Sequence, residues 1–531
     1  MALAATAPLL PLAASAAAKF EFQHGVASGD PLADRVILWT RITPLSHKDR
    51  AQVDYLVARD PELADVVQSG SLQTDAARDF TVKVDVQGLQ PGSSYYYRFS
   101  HQGVLSPVGR TRTLPVGSVD HLRFAVVSCS NFAAGYFNAY RRIAERADLD
   151  LVVHLGDYLY EYGSGQFGDT RPCEPAHEAL TLADYRQRHA QYKRDPDAQE
   201  MHRQHALVAI WDDHETSNNS WQGGAENHSP GSEGTWADRV NGALQAYYEW
   251  MPVRQVDKAN RRRNNRRFAF GDLAELTMLE ERLNARSEQL PALIPSPIGM
   301  GFVQAGDYLN PDRGLLGVAE ESWLINGLRK TPARWKLLGQ GVMFAQMKAV
   351  GAPNLLGGGV FMSPDQWDGY QPARDRLYAA VKGTDGGAPI DNLVVLTGDI
   401  HSSWAADLTQ DPNNPVPEFG GYDCNTGRGS LAVEFVGTSV TSPGLPDPLG
   451  DLAIYLRSQN PHFKYIDLTK RGYMLLDVTH QRVVCEWWHL DTVDSPDDRQ
   501  VMAAAFEVRD GQARLQPASR TRSRPGPRPA P

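Results

Sequence analysis

The sequence predicts an α/β protein in which an immunoglobulin- or fibronectin III-like β-sandwich precedes a larger catalytic domain. Three observations lead there. From Phe20 to about Pro115 the chain reads as short strands separated by turns. After Leu114-Pro-Val-Gly117 strands alternate with helical stretches. Finally, four apolar runs of strand length stop abruptly at Cys, Asp or His, where a sheet enzyme keeps its chemistry.

In order, the sandwich strands are Arg35–Arg41, Val53–Ala58, Phe80–Val86 and Ser94–Phe99, all β-branched or aromatic in character. Leu89-Gln-Pro-Gly-Ser-Ser-Tyr95 reads as the turn into a late strand, with a tyrosine closing the corner. Arg123–Cys129 opens the catalytic part. Tyr136, Tyr140, Ile143 and Ala147 share one helix face, and Leu151–Asp157 completes a βαβ unit. Residues 163–204 form a polar insertion with a helix over Thr181–Tyr192; its His177, His189, His202 and His205 read as surface and are assigned no metal. Leu207–His214 is the third ligand-bearing strand, followed by a Gly, Ser and Asn rich loop and a helix over Trp236–Trp250. Arg261-Arg-Arg-Asn-Asn-Arg-Arg267 reads as a solvated turn, with an anion-binding patch as the alternative. Phe268–Leu279 is strand-like, and Glu280–Pro311 is an irregular segment able to cap a site. Trp335–Ala345 leads through a helix around Arg374–Val381 to the fourth ligand strand, Asn392–His401. Leu431–Val436, Gly472–Val478 and Arg482–Trp488 are further strands. The Arg and Pro rich end, 514–531, is nearly devoid of large apolar residues and is expected to be disordered. The expected domains are therefore 19–115 and 118–495.

At 531 residues the chain exceeds one ordinary core. Its 42% apolar and 22% charged content is that of a soluble globular protein. A net charge of −10 argues against a specific nucleic-acid partner. No run of about twenty apolar residues predicts a membrane span, and a monomer is expected. Residues 1–18, Ala-rich and ending in small residues, read as the remnant of an export signal lacking its basic part, so a periplasmic or extracellular location is expected. Four cysteines, Cys129, Cys173, Cys424 and Cys485, are too few and scattered for a disulfide scaffold, although one bridge is compatible with export.

The strand ends place Cys129, Asp157, Tyr160, Asp213, Asn219, Asp399 and His401 in one candidate ligand set, with His214 beside it. Each alone has a plainer reading: a buried thiol, a core aromatic, a strand-end cap. Recurrence at four strand ends favours one polynuclear site. Hydrolysis of a phosphate ester needs neutralised phosphoryl oxygens and an activated water, and two cations bridged by a carboxylate supply both. Asp157 is the natural bridge. A phenolate and a thiolate, Tyr160 and Cys129, favour Fe3+; the oxygen donors Asp213, Asn219 and Asp399 favour Ca2+, Mg2+ or Mn2+. Neither a Gly-x-Ser-x-Gly elbow nor a nucleotide P-loop occurs.

These motifs, Ser128-Cys129-Ser-Asn131, Gly156-Asp157-x-x-Tyr160, Trp211-Asp-Asp-His-Glu215 and Gly398-Asp-Ile-His401, resemble the PhoD-type alkaline phosphatase and phosphodiesterase family, within the metallophosphatase group that includes purple acid phosphatases. His24-Gly-Val-Ala-Ser-Gly-Asp-Pro31 and Tyr247-Tyr-Glu-Trp-Met-Pro252 extend the resemblance from about Phe22 to Thr492. It implies a four-layer α/β/β/α metallophosphatase domain behind the sandwich. It further implies Fe3+ on Cys129, Tyr160 and His401, with Asp157 bridging to Ca2+ on Asp213, Asn219 and Asp399. Asn218 competes with Asn219 for that role. By the same resemblance His214 steadies the phosphate and serves the leaving oxygen, and Asn131 contacts the phosphate. The twin-arginine export signal of the family does not appear in residues 1–18. The implied activity is hydrolysis of small phosphate esters by in-line attack of a metal-bound hydroxide. Two alternatives stand: a phospholipase D-like preference for diesters, and a secreted binding protein with an inert hydrolase-like domain.

Overall fold

The apolar patterning resolves into three buried interfaces. In the computed structural model, which describes residues 22–43, 50–447 and 450–531, a ten-stranded sheet faces a seven-stranded one. Phe124, Val153 and Val208 from the first meet Leu276, Leu337 and Leu396 from the second. On the outer face of the first sheet, helices Asn138–Ala144 and Trp236–Trp250 pack Tyr140, Ile143, Val240 and Leu244 against Val152 and Leu207. On the outer face of the second, Gly317–Lys330 and Gln371–Lys382 pack Leu324, Leu328, Leu377 and Val381 against Leu338 and Val395. Alternation explains the unbroken apolar runs: Val152 looks to the helices and Val153 to the opposite sheet, so both faces of the strand are buried. The layering is the α/β/β/α arrangement expected.

Three of the strands expected to carry ligands, His121–Val127, Leu151–His154 and Ala206–Ala209, are parallel neighbours, so their C-terminal ends coincide. The fourth, Leu393–Thr397, lies in the facing sheet. Ahead of them, Val53, Val57, Tyr97 and Phe99 pack on Val26, Leu38, Val82 and Val86 to form a sandwich. One of its sheets is not separate. Val26–Gly29 pairs in parallel with Ala206–Ala209 and antiparallel with Arg35–Arg41, so a single hydrogen-bonded sheet runs through both parts. Tyr95 closes the corner by accepting from the Gln90 amide at 2.8 Å.

Several expectations change. Phe268–Leu279 is a hairpin, Arg266–Phe270 with Ala274–Met278. It turns at Gly271, where a φ of 56° and the Gly117 carbonyl, which would lie 2.3 Å from any Cβ at that position, exclude a side chain. The catalytic sheet continues past 495, because Gln500–Arg509 pairs with Arg482–Leu490. The end expected to be disordered instead adds a short strand, Gln516–Pro517, to Gln500–Arg509 and then continues on polar contacts. Arg123 donates to the Arg522 carbonyl at 3.0 Å, Arg524 pairs with Asp150, and buried Ala530 donates to Gln204 at 2.9 Å. Composition misleads there because a single apolar side chain, Leu515, enters the core between the sheets, and the rest is held by backbone and guanidinium groups. Of the four histidines read as surface, only His177 is exposed. His189, His202 and His205 are buried beneath packed helices, His202 with Tyr158 Oη at 2.9 Å and Lys193 Nζ at 2.8 Å. All four cysteines are unpaired. Among the described residues no helix is long and apolar enough to cross a membrane; the expected export remnant lies outside them.

Candidate metal centre

Five of the seven expected ligands, Cys129, Asp157, Asn219, Asp399 and His401, have φ between 50° and 59°. Non-glycine residues seldom adopt this left-handed conformation, and it persists where the surroundings enforce it, typically at functional sites. Here the enforcement is visible. The buried Glu215 carboxylate accepts from the amides of Asp157, Tyr158 and Asp212 at 3.1, 2.7 and 2.8 Å, tying two strand ends together. Both Gly-Asp pairs also have a steric cause. A Cβ on Gly156, which has φ 104°, would lie 2.5 Å from Asp212 Cβ; one on Gly398 would lie 2.8 Å from Ser128 Cβ.

Cys129, Asp157 and His401 present ligand atoms within 4.8 Å of one another. Tyr160 Oη joins them, 3.0 Å from both Asp157 Oδ2 and His401 Nε2. His401 Nδ1 donates to the Pro443 carbonyl at 2.9 Å, which turns the Nε2 lone pair inward as a metal ligand requires. Burial, reinforced by His214, lowers the His401 pKa to about 3, so the ring is neutral. On the other side Asp212, Asp213 and Asp399 form a second group within 4.8 Å. Asp157 is equally close to Asp213 and His214, and so stands between the two groups.

The residues fit a pair of cations. Burial raises the pKa values of Cys129, Tyr160, Asp157 and Asp399 well above their ordinary ranges, and neighbouring carboxylates add to it. A bound cation reverses that balance and deprotonates thiol and phenol. Asp213 Oδ1 is buried without a hydrogen-bond partner, which a cation would relieve.

His214 is held by Glu161, whose Oε2 accepts from Nδ1 at 2.7 Å while Oε1 accepts from the Asn218 amide at 2.7 Å. Burial opposes protonation of His214, but Glu161, Asp213 and Asp157 outweigh it and hold its pKa well above 6.5. Its ring stacks on Tyr160 at 4.1 Å between centroids, and Phe167 from the insertion stacks over His401 at 6.1 Å. Asn219 is tied to the centre through its amide, which donates to Asp213 Oδ2 at 2.6 Å; both Asn218 and Asn219 side chains donate to Glu226. The Asn131 side chain is occupied, accepting from Ala133 N and donating to the Phe167 carbonyl of the insertion at 2.6 Å.

Sequence reading missed Asp212, Glu161, Glu215, Asp365 and Arg282. The guanidinium of fully buried Arg282 meets Asp212 at 2.5 Å, Asp365 at 2.9 Å and Asp399 at 2.9 Å, so the oxygen-rich side carries a resident cation. The available signal was Glu280-Glu-Arg282-Leu-Asn-Ala-Arg286, whose charges lie among apolar residues in the irregular segment able to cap the site.

Comparison with known proteins accords with this geometry. The model of the PhoD-like phosphatases matches residues 124–487, and that of their N-terminal domain matches residues 5–115. Alkaline phosphatase D of Bacillus subtilis (strain 168) is 35% identical over 517 residues, covering 94% of this chain and 83% of that protein. A solved PhoD structure superposes with a TM-score of 0.82 at 33% identity, covering 96% of this chain and 94% of the other. The chain belongs to the PhoD-like phosphatase family.

Proposed function

We propose that this metal-dependent phosphoester hydrolase uses Cys129, Tyr160, Asp157 and His401 to hold Fe3+, and Asp157, Asp213, Asn219 and Asp399 to hold Ca2+. The observation that carries the reading is the position of Asp157 between a thiol, phenol and imidazole group and an all-carboxylate group. Soft or strongly anionic donors on one side and hard oxygens on the other sort two different ions. When bound, the cations neutralise the phosphoryl oxygens and activate water for in-line attack.

The remaining work falls to the chain's own side chains. Glu161 fixes His214 through Nδ1, leaving Nε2 to give a proton to the leaving oxygen. Tyr160 and Phe167 wall the mouth with apolar surface. Monoesters are the proposed substrates, with diesters accepted as far as Phe167 and the insertion leave the mouth open. Paired chromogenic mono- and diesters test this, and a Phe167→Ala variant should shift their ratio towards the diester. The Ala-rich residues 1–18 support export, to be checked by fractionating cells of the native host.

Two variants separate the roles. His214→Ala should lower kcat by about 10²- to 10⁴-fold on an alkyl ester. On a nitrophenyl ester, whose leaving group needs no proton, the loss should be far smaller; equal losses would remove the acid role. Tyr160→Phe should abolish the visible tyrosinate-to-iron band. A colourless wild-type enzyme with full activity would instead remove iron from the proposal.

A further inference from the structure

On a chain of net charge −10, one groove opposes the general sign. It lies where the sandwich meets the C-terminal end of the helix Trp236–Trp250 and has a volume of about 760 Å3. Its walls carry Arg78, Lys83, Arg254, Lys258 and Arg261 against two carboxylates, Asp85 and Glu249. Both carboxylates are already engaged: Arg254 reaches Asp85 at 2.7 Å, and Arg186 takes both oxygens of Glu249 at 2.7 Å. Among the described residues, the side chains of Arg78, Lys258 and Arg261 have neither hydrogen bond nor ion pair. Lys83 forms the floor, donating to the carbonyls of Tyr248 and of Val253, the latter at 3.0 Å. Arg261 begins the arginine run; Arg266 of that run turns inward to the Ala209 carbonyl, so the run divides between a structural end and a groove-lining end. The metal centre is a separate place: none of its residues lines the groove, whose Tyr248 contacts Trp211 edge-on at 6.0 Å.

We propose that this groove is a docking site, distinct from the metal centre, for a polyanion carrying several phosphates. Unpaired, flexible surface cations bind a single small anion weakly, because solvent and salt screen each contact. A multiply charged chain engages several at once and releases its condensed counterions on binding. Tyr248 adds an aromatic surface at the back of the groove, and the engaged carboxylates do not compete for the free cations.

The test is calorimetric titration of the metal-loaded enzyme with short-chain inorganic polyphosphate, in excess inorganic phosphate to occupy the catalytic site, over a series of salt concentrations. Wild type should bind, with affinity falling as salt rises. The R78Q/K258Q/R261Q variant should bind about tenfold more weakly or worse, and the slope of log affinity against log salt should fall by about two for three lost contacts. Hydrolysis of a small chromogenic monoester should be unchanged, since none of the three touches the metal centre. The charge-conserving R78K/R261K variant should keep the wild-type slope. No binding by wild type, an unaltered slope in the Gln variant, or an equal loss in the Lys variant would each overturn the proposal. Monoester hydrolysis is read separately, so failure of the groove leaves the metal-centre assignment standing.

Discussion

Asp157→Asn should remove hydrolysis of monoesters and diesters alike, by about a thousandfold or more. The substitution keeps volume and shape but takes away one negative charge and one acceptor at the place where the two ligand groups meet. With Asp157 in the proposed bridging role, its loss takes a donor from both cations together. A loss of about 4 kcal/mol of transition-state stabilisation, within the range a metal site supplies, is about a thousandfold in rate. The backbone also bears on the outcome. Asp157 has φ 54°, which Asn tolerates about as well as Asp, and Glu215 and Gly156 hold the turn from either side. Loss of activity therefore reports chemistry rather than misfolding. Rates on both ester types, with elemental analysis of the same preparation, decide the matter. Near-full activity with metals retained would show that the two sites do not share this residue.

How far the sequence disclosed this centre depends on where each residue sits. Asp157, Asp213 and Asp399 were legible because each follows an apolar run, and a strand buried on both faces reads as such a run whatever its neighbours. Helix Leu182–Lys193 was legible from its start, where Thr181 and Asp184 form a capping box. Arg282 and Asp365 were not, since they come from irregular segments and acquire meaning only when tertiary packing sets them 2.9 Å apart. His202 was misjudged for a related reason: a polar helix reads as surface unless a second layer, here Lys193 and Tyr158, covers it. The joining of sandwich and catalytic sheet was likewise hidden, because Ser28 pairing with Ala206 is a contact between distant parts of the chain that local pattern does not encode.

Arg282→Gln should destabilise the metal-free protein by about 3–5 kcal/mol, the cost of leaving buried charges without their partner. Asp212 is contacted at 2.5 and 3.1 Å, Asp365 at 2.9 Å by both oxygens, and Asp399 at 2.9 Å, with Asp213 3.7 Å away. Even with Arg282 present, burial raises the Asp212 pKa, so removing the guanidinium pushes the carboxylates further towards protonation. Calcium should rescue the variant, because a ligand that binds only the folded state stabilises it in proportion to its occupancy. The rescue should exceed the effect of calcium on wild type, since Asp399 Oδ1 is then free to face the ion. Melting curves in chelator and across a calcium series measure both quantities. A variant that melts like wild type in chelator would show that Arg282 is not the counter-ion of this cluster. Charge arithmetic extends the prediction to catalysis: with a cation bound to keep the four carboxylates ionised, they and one guanidinium sum to −4 + 1 = −3, and the variant stands at −4. The more negative pocket holds a divalent ion more tightly and repels an incoming phosphate dianion more strongly. The Kd for calcium should therefore fall while KM rises, and movement of both in the same direction would contradict a role for Arg282 in balancing the charge between metal and substrate.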